Sequence, residues 1–525
     1  MIRKGLEEVW GEYLKSVSYC QNINLFETVQ RNEDFYVGDQ WKGVNAPDLD
    51  KPVYNMLQRP VSYLIASIIS DNVGIKYSPF EEEADGKELM EMLEGQTRKI
   101  MDLAKMNQLL REFLQNSCVD GDGCLHFWFE SQPAKTLEDG RIVNNGLIHA
   151  EVLENIHVFF GNTESTVVET QPWILLRYRK GLEELKEWAA ENGVDADMIR
   201  ADKDTETTNS EHEGEKVTVL RKYWKQNGTV WYLEQTHDVA LTKPQDTGMH
   251  RYPLVWMPWE KIKNRYHGKS ALDGMIPNQI YRNKMAAMAH RFMQLMGYQK
   301  IAYNRTMLPH GWSNRVGEAI PVNGDPSQAI STPLATPSMS PQVMELLAFN
   351  KNETVEAVGA SDAALGNIKP DNAAAIIATQ KATAVPLERK RMNYHDAVES
   401  CCRIWLDMMG VYYGKRLVKM KDPTLEVLPG MPDERPAVHF IYDFSQLQQM
   451  DLAVNIEVGA ASYWSELMES TTLSNLYTAG VIDGEMYIEH LPDGVLSQKQ
   501  SILDAIRKRK AQQPMMEVPN AMSGM

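Results

Sequence analysis

Apolar residues recur in threes and fours along several long stretches of this chain, and between those stretches the period falls to two. The opening segment, through about Asn32, reads as helix and runs into NEDFYVGDQW (Asn32 to Trp41), whose aromatic residues bracket Gly38. Val53, Leu57, Val61, Leu64, Ile65 and Ile68 predict a helix over Val53 to Ile69, with Asn55 and Arg59 beside its apolar face. Leu89, Met92, Leu93, Ile100, Leu103, Met106, Leu110 and Leu114 predict one amphipathic helix from Glu88 to Asn116. It ends at VDGDGCLHFWF, where Gly121 and Gly123 break the helix and Leu125, Phe127 and Phe129 start an alternating strand. From about His149 to Glu234 alternation dominates, interrupted by a short helix (Leu182 to Asn192) and a polar loop (Ala201 to Glu215). Gln226-Asn227-Gly228 sits between two β-rich runs and predicts a hairpin, because Asn and Gly both tolerate positive φ. The N-terminal half is therefore expected to be α+β.

The second half is organised differently. An extended run at Tyr252 gives way to a Gly268-Lys269-Ser270 turn and a long helix, Ala271 to Met296, with Gly274 and Pro277 in its opening turns. A Pro/Ser/Gly-rich aperiodic insert follows (Tyr298 to Pro341), then a second helix (Gln342 to Val358) and a loop around Gly366 and Pro370. A third helix is expected from an Asp371 or Asn372 N-cap to about Leu417, with a seam at Leu387, Tyr394, Val398, Cys401, Trp405, Met408 and Tyr412. It would span on the order of 60 Å and kink at Pro386, whose ring removes a ladder hydrogen bond. Alanines upstream of Pro386 keep it thin. Pro436 to Phe444 reads as a strand, Ser462 to Leu491 as a helical pair joined at Ala479-Gly480-Val481, Ser497 to Lys510 as a basic-ended helix, and the remainder as a disordered tail. Two helices separated by a small insert cannot bury all their apolar faces on each other, so the chain is expected to pack against copies of itself.

Composition narrows the function. The 525 residues supply several cores, and no run approaches the ~18 apolar residues of a membrane span. The opening MIRKGLEEVWGEYL has no apolar signal core, which predicts no secretion. Cys20, Cys118, Cys124, Cys401 and Cys402 form no CxxC and are expected to be buried thiols in a reducing compartment. A net charge of −17 argues against tight DNA binding and favours loose contact that lets a polyanion move.

Motifs for chemistry fail one by one. His267-Gly268-Lys269-Ser270 ends like a phosphate loop, but Lys263 stands where the pattern needs glycine. Asp120-Gly121-Asp122-Gly123 begins like a calcium loop, yet Cys124 takes the third ligand position, and a helix-to-strand turn is the better reading. No catalytic residue, metal ligand or cofactor is assigned. One alternative stays open here: an intracellular hydrolase assembled from residues such as Asp120, Asp122, His126 and His157.

Several strings resemble those of the portal proteins of tailed bacteriophages. Tyr36, Gly38 and Trp41 followed by Asn55 are similar to an early motif of that family, and Val119 to Leu125 resembles its Gly-Asp-Gly turn. Pro253-Leu254-Val255 leading to Gly268 and Ser270, then Pro277, Gln279 and Asn283, resembles the entry into the family's first stem helix. The resemblance implies a ring, usually of twelve subunits, at one capsid vertex, through which double-stranded DNA passes during packaging and ejection. It implies the terminase large subunit, the major capsid and scaffolding proteins and the head–tail connector proteins as partners, with no membrane, and a location in the virion after assembly in the host cytoplasm. By position, 1–266 becomes an α+β wing, 267–297 the first stem helix, 298–341 a small α/β clip and 342–358 the second stem helix. Residues 359–372 become the channel loop, 373–418 the long kinked helix, 419–460 returning wing strands, and 461–525 a helical crown with its tail. Asn367, Lys369, Asp371 and Asn372 are then expected to face DNA from the channel loop, and Arg282, Lys284 and Arg291 are candidates to line the channel from the stem. The basic run Glu388 to Arg391 is expected as a charged face bridged to an adjacent subunit, with a phosphate backbone as its alternative partner, and a virion structural protein without a channel stays open beside the portal reading.

Overall fold

The computed structural model describes residues 2–69, 73–79, 86–136, 141–202, 215–297, 302–311, 319–329, 341–357, 387–421, 437–449, 452–458, 472–491 and 502–503. The chain divides into two compact units, residues 1–68 with 77–455, and residues 69–76 with 456–525.

The larger unit mixes helix and sheet, as the alternation of periods predicts. Helices α1 (Ile2–Asn22) and α2 (Leu25–Val37) are separated by Asn24 in the left-handed region. Helix α3 (Gln58–Ile68) starts five residues later than the Val53 start the spacing predicted. The reason is polar: Asn55 Oδ1 accepts the Leu57 N–H, and Met56 N–H is taken by Gln279 Oε1, so this backbone is spent outside a helix. After strand β1 (Val73–Pro79), the single helix expected over Glu88 to Asn116 is two, α4 (Gly86–Leu103) and α5 (Met106–Asp120). They break at Lys105, held at φ 52. Periodicity cannot see such a break, because the apolar spacing carries straight across it.

Strands β2 (Asp122–Thr136) and β3 (Ile142–Leu153) pair antiparallel. Strand β4 (Val158–Phe160) is followed by β5 (Trp173–Gly181), α6 (Leu182–Glu191), β6 (Lys216–Gln226), β7 (Thr229–Gln235), β8 (Gln245–Asp246) and β9 (Leu254–Pro258). The predicted hairpin joins β6 to β7, with Asn227 at φ 54 and Gly228 at φ 87, the pair of positive values a two-residue turn demands. Two sheets result, one of three strands ordered β3-β2-β9 and one of five ordered β4-β5-β6-β7-β8.

The layers follow from the alternation. Phe159, Leu175 and Leu220 face Val9, Tyr13, Val17 and Cys20 of α1. On the opposite face Ile174, Leu176 and Tyr223 meet Cys124, Leu254 and Trp256 of the three-stranded sheet. Each such side chain contributes roughly 1.5–3 kcal/mol on burial. Trp256 and Trp259 are core residues.

Helix α7 (Ile276–Gly297) follows a 3₁₀ turn at Leu272–Gly274, and a short α8 (Pro326–Ala329) and α9 (Pro341–Ala357) come next. Helix α10 (Glu388–Met408) buries Tyr394, Val398, Cys401, Trp405 and Met408, most of the predicted seam. Trp405 meets Phe127 edge to face, and Tyr412 stacks on Phe129 at 5.0 Å, so α10 covers the outer face of the three-stranded sheet. The helix does not reach Leu417. It relaxes into a π-helical turn at Met409–Tyr413, Gly414 takes φ 52, and β10 (Lys415–Lys421) begins. Strand β10 pairs with β11 (Ala437–Asp443), close to the strand expected at Pro436 to Phe444; β12 (Leu452–Val458) follows.

In the smaller unit, a helix over 472–478 turns at Gly480 (φ 72) into a second helix, Gly484–Glu489, capped by Asp483. This matches the joint expected at Ala479-Gly480-Val481. The polar loop over 203–214, much of the 298–341 insert, the stretch 358–386 with Asn367, Lys369, Asp371, Asn372 and Pro386, and most of the tail lie outside the described residues.

Candidate functional site

The two strings that mimicked ligand loops dock onto each other, and together they seat the start of α7. Helix α5 ends at Asp120, Gly121 supplies the left-handed C-cap, and Asp122 opens β2 with no exposure at all. A buried carboxylate is costly unless its oxygens are bonded. Here Asp122 Oδ1 accepts the Gly268 N–H at 2.7 Å, and Oδ2 lies 2.8 Å from His267 Nδ1. Asn155 Nδ2 donates both to Oδ2 and to the Asp120 carbonyl, at 3.3 Å each. His267 completes its surroundings with Cys20 Sγ at 3.9 Å and with the rings of Tyr19 and Tyr266.

Glycine is required at position 268. An added Cβ would stand 2.7 Å from Pro258 Cβ and 2.8 Å from the Gly121 carbonyl oxygen. The turn is then tied down from both sides: Trp259 N–H donates to Gly121 O, Lys269 N–H to Glu260 O, and Ala271 N–H to Cys118 O. Ser270 Oγ donates to Cys118 O and accepts the Leu272 N–H, capping the 3₁₀ turn before α7. From α2, Asn32 bonds the Val119 carbonyl and Arg31 pairs with Asp273 at 2.8 Å. The Gly268, Lys269 and Ala271 N–H groups of this phosphate-loop-like turn are engaged within the fold, and the Asp122 carboxylate that a cation would need is spent on His267 and Gly268. Asp120 is a different case: burial, with Glu33, Glu154 and Asp122 nearby, pushes its carboxyl up to about 8.

A second polar cluster holds the next turns of α7, and it is built from the other family-like positions. Gln279, fully buried, donates to the Tyr54 carbonyl and to Asn283 Oδ1 while accepting Met56 N–H. Asn283 donates to Gln40 Oε1 at 2.6 Å, and Gln40 donates to Phe35 O. Asn55 donates to Tyr36 O, Trp41 Nε1 to Pro52 O, and Gly38 caps α2 at φ 103. Pro277 is exposed in the first turn of α7, where its missing N–H costs nothing. Gly268, Ser270, Gln279, Asn283, Asn55, Tyr36 and Gly38 thus converge on one junction. Asp122, Asn155, His267 and Gln40 belong to it too. Position inside Gly-rich or aromatic strings marks Asp122, His267 and Gln40 in the sequence, and nothing there marks Asn155.

The stem candidates are placed as follows. Arg282 is half-buried, Lys284 is exposed, and Arg291 is exposed and donates to the Asp48 carbonyl, beside Gln294 bonded to Asp50. Three apolar residues of α7 beyond its second turn face solvent in the single chain, Met288, Met293 and Leu295 at 62, 65 and 52% exposed, whereas Ala286 and Ala287 are buried. On α9, Phe349 is 60% exposed. The two helices meet where Asn278 Nδ2 donates to Thr354 Oγ1. Within the single chain the basic run on α10 has Arg389 and Lys390 paired with Glu260, and Arg391 donating to Ser67 O.

The four residues of the hydrolase alternative do not assemble into one site. Asp122 is committed to His267, His157 lies near Glu154, and His126 is buried elsewhere between Glu151 Oε1 (2.9 Å) and Tyr223 OH (3.0 Å). Burial lowers the His126 pKa. All five cysteines are buried, and none forms a disulfide. Among the described residues no group of His, Cys, Asp and Glu is arranged to hold a metal, and no helix is long and apolar enough to cross a membrane.

A buried polar clamp thus seats a long helix that carries exposed apolar side chains, within a chain of mixed α and β structure. Residues 170–421, just under half of the chain, match the model of the phage P22-like portal protein family, and the resemblance to tailed-phage portal proteins is thereby borne out. That family is structural, and it implies a capsid-associated oligomeric ring. A search of curated proteins finds no match to the chain.

Proposed function

We propose that the chain forms the ring at one capsid vertex through which double-stranded DNA is packaged by terminase and later ejected, and on which head–tail connector proteins dock. The observation that carries this reading is the rigid seating of α7 combined with its open apolar face. Side chains that find no burial in one subunit find it between neighbours, and repetition about an axis leaves a central channel. In this reading Arg282, Lys284 and Arg291 line the stem, and Asn367, Lys369, Asp371 and Asn372 belong to a loop facing DNA. The acidic balance of the chain supports a conduit of weak contacts over a tight grip. The force would come from a separate ATPase, since the turn at Lys269 has its Gly268, Lys269 and Ala271 N–H groups engaged within the fold. Capsids assembled with and without this chain test the reading: DNA filling is expected only in the first set, and equal filling in both would contradict it.

A further inference from the structure

Strand β9 is the edge of its sheet. Its ladder to β2 uses Pro253, Val255, Met257 and Trp259, as the pairings Phe127 N–H to Pro253 O and Trp259 N–H to Gly121 O fix the register. The N–H and C=O groups of Leu254 and Trp256 therefore point away from β2, and no described strand pairs with that side. A groove of about 360 Å³ runs along it, lined by all five residues from Leu254 to Pro258, which side chains of one sheet face alone could not do. Its walls are α10, through Ala397 and Ser400, and the loop at Val167 and Val168. Lys390 of α10 donates to Trp259 O and Asp407 accepts the Arg251 N–H, so helix and strand run antiparallel for their whole shared length. Five strand residues cover about 16 Å, and the α10 wall from Asn393 to Ile404 covers about the same.

A strand edge beside a helix is the geometry that accepts an added strand, with main-chain bonds giving affinity and the walls selecting side chains. The groove is electrically uneven. At the Trp259 end stand Lys261, Arg389 and Lys390 against Glu260, whereas at the other end Arg251 lies near Glu169. A strand of this length buries far less than the ~1,200 Å² of a stable interface, so a free peptide would bind weakly. A neighbour already held in a ring supplies the segment at high effective concentration. The neighbouring copy is also acidic on balance.

We infer that this groove receives an extended segment of the adjacent subunit as a fourth strand beside β9, with an acidic side chain at the Lys261 end. The inference rests on the ring reading. Amide hydrogen exchange of the stretch Leu254–Pro258, compared between assembled rings and subunits dispersed by dilution or salt, tests it. The Leu254 and Trp256 amides are expected to slow at least about tenfold on assembly. In rings carrying Ser400→Trp, which fills the groove, exchange should return to the dispersed rate at unchanged ring mass. Rings that form but leave this stretch exchanging as in dispersed subunits overturn the strand and spare the ring; failure to form rings at all overturns both.

Discussion

At the scale of single residues, Asp122 is the one on which most depends. It is a buried carboxylate with three donors around it, and removing one partner of such a pair leaves an uncompensated charge or donor behind. Asp122→Ala should cost on the order of 3–5 kcal/mol in denaturant unfolding, with loss of the α7 seating. Gly268→Ala meets backbone on one side and a proline ring on the other, and should cost about 1–3 kcal/mol. If Asp122 held a cation instead, chelators and not substitution would show the larger effect. Asp120 supplies a pH signature. With its carboxyl pushed up to about 8 in the fold, it keeps its proton where the unfolded chain, at roughly 3.9, has lost it. Unfolding then releases a proton between those limits, so stability falls as pH rises from about 4 to 8. Asp120→Asn should flatten that fall and stabilise the protein at pH 8; an unchanged slope would place the origin elsewhere.

At the scale of elements, what could be read in advance and what could not divide along one line. The β6–β7 turn was legible because Asn227-Gly228 states its backbone requirement in two adjacent residues. The α10 seam was legible because a helix face repeats locally, yet the end of α10 was not, since a π-helical turn and a Gly414 reversal interrupt a spacing that continues to Leu417. The break at Lys105 was hidden for the same reason. The clamp was legible only in half: Gly268, Ser270, Gln279 and Asn283 stood out as strings, whereas the pairing of Asp122 with His267 joins residues 145 apart and has no local signature. The open face of α7 yields the prediction belonging to this scale. Met293→Asp on α7 together with Phe349→Asp on α9 should abolish assembly while changing the unfolding energy of the subunit by no more than roughly 0.5 kcal/mol, as expected for exposed positions. A large loss of subunit stability would mean that these side chains are buried within one chain.

At the scale of the whole molecule, the larger unit is a layered scaffold: α1, a five-stranded sheet, a three-stranded sheet and α10, with α7 leaving from a polar lock at its side. The lock fixes where α7 starts, and the layers make that start rigid. Along the far half of the helix Arg291 and Gln294 bond the stretch Asp48 to Asp50, while Met288, Met293 and Leu295 stay exposed; in the proposed ring those apolar side chains would be buried against another copy. The mass of the purified assembly in native mass spectrometry tests this most directly. The account predicts a closed ring of about twelve times the 59.7 kDa subunit. A monomer that persists at every concentration and salt would contradict it.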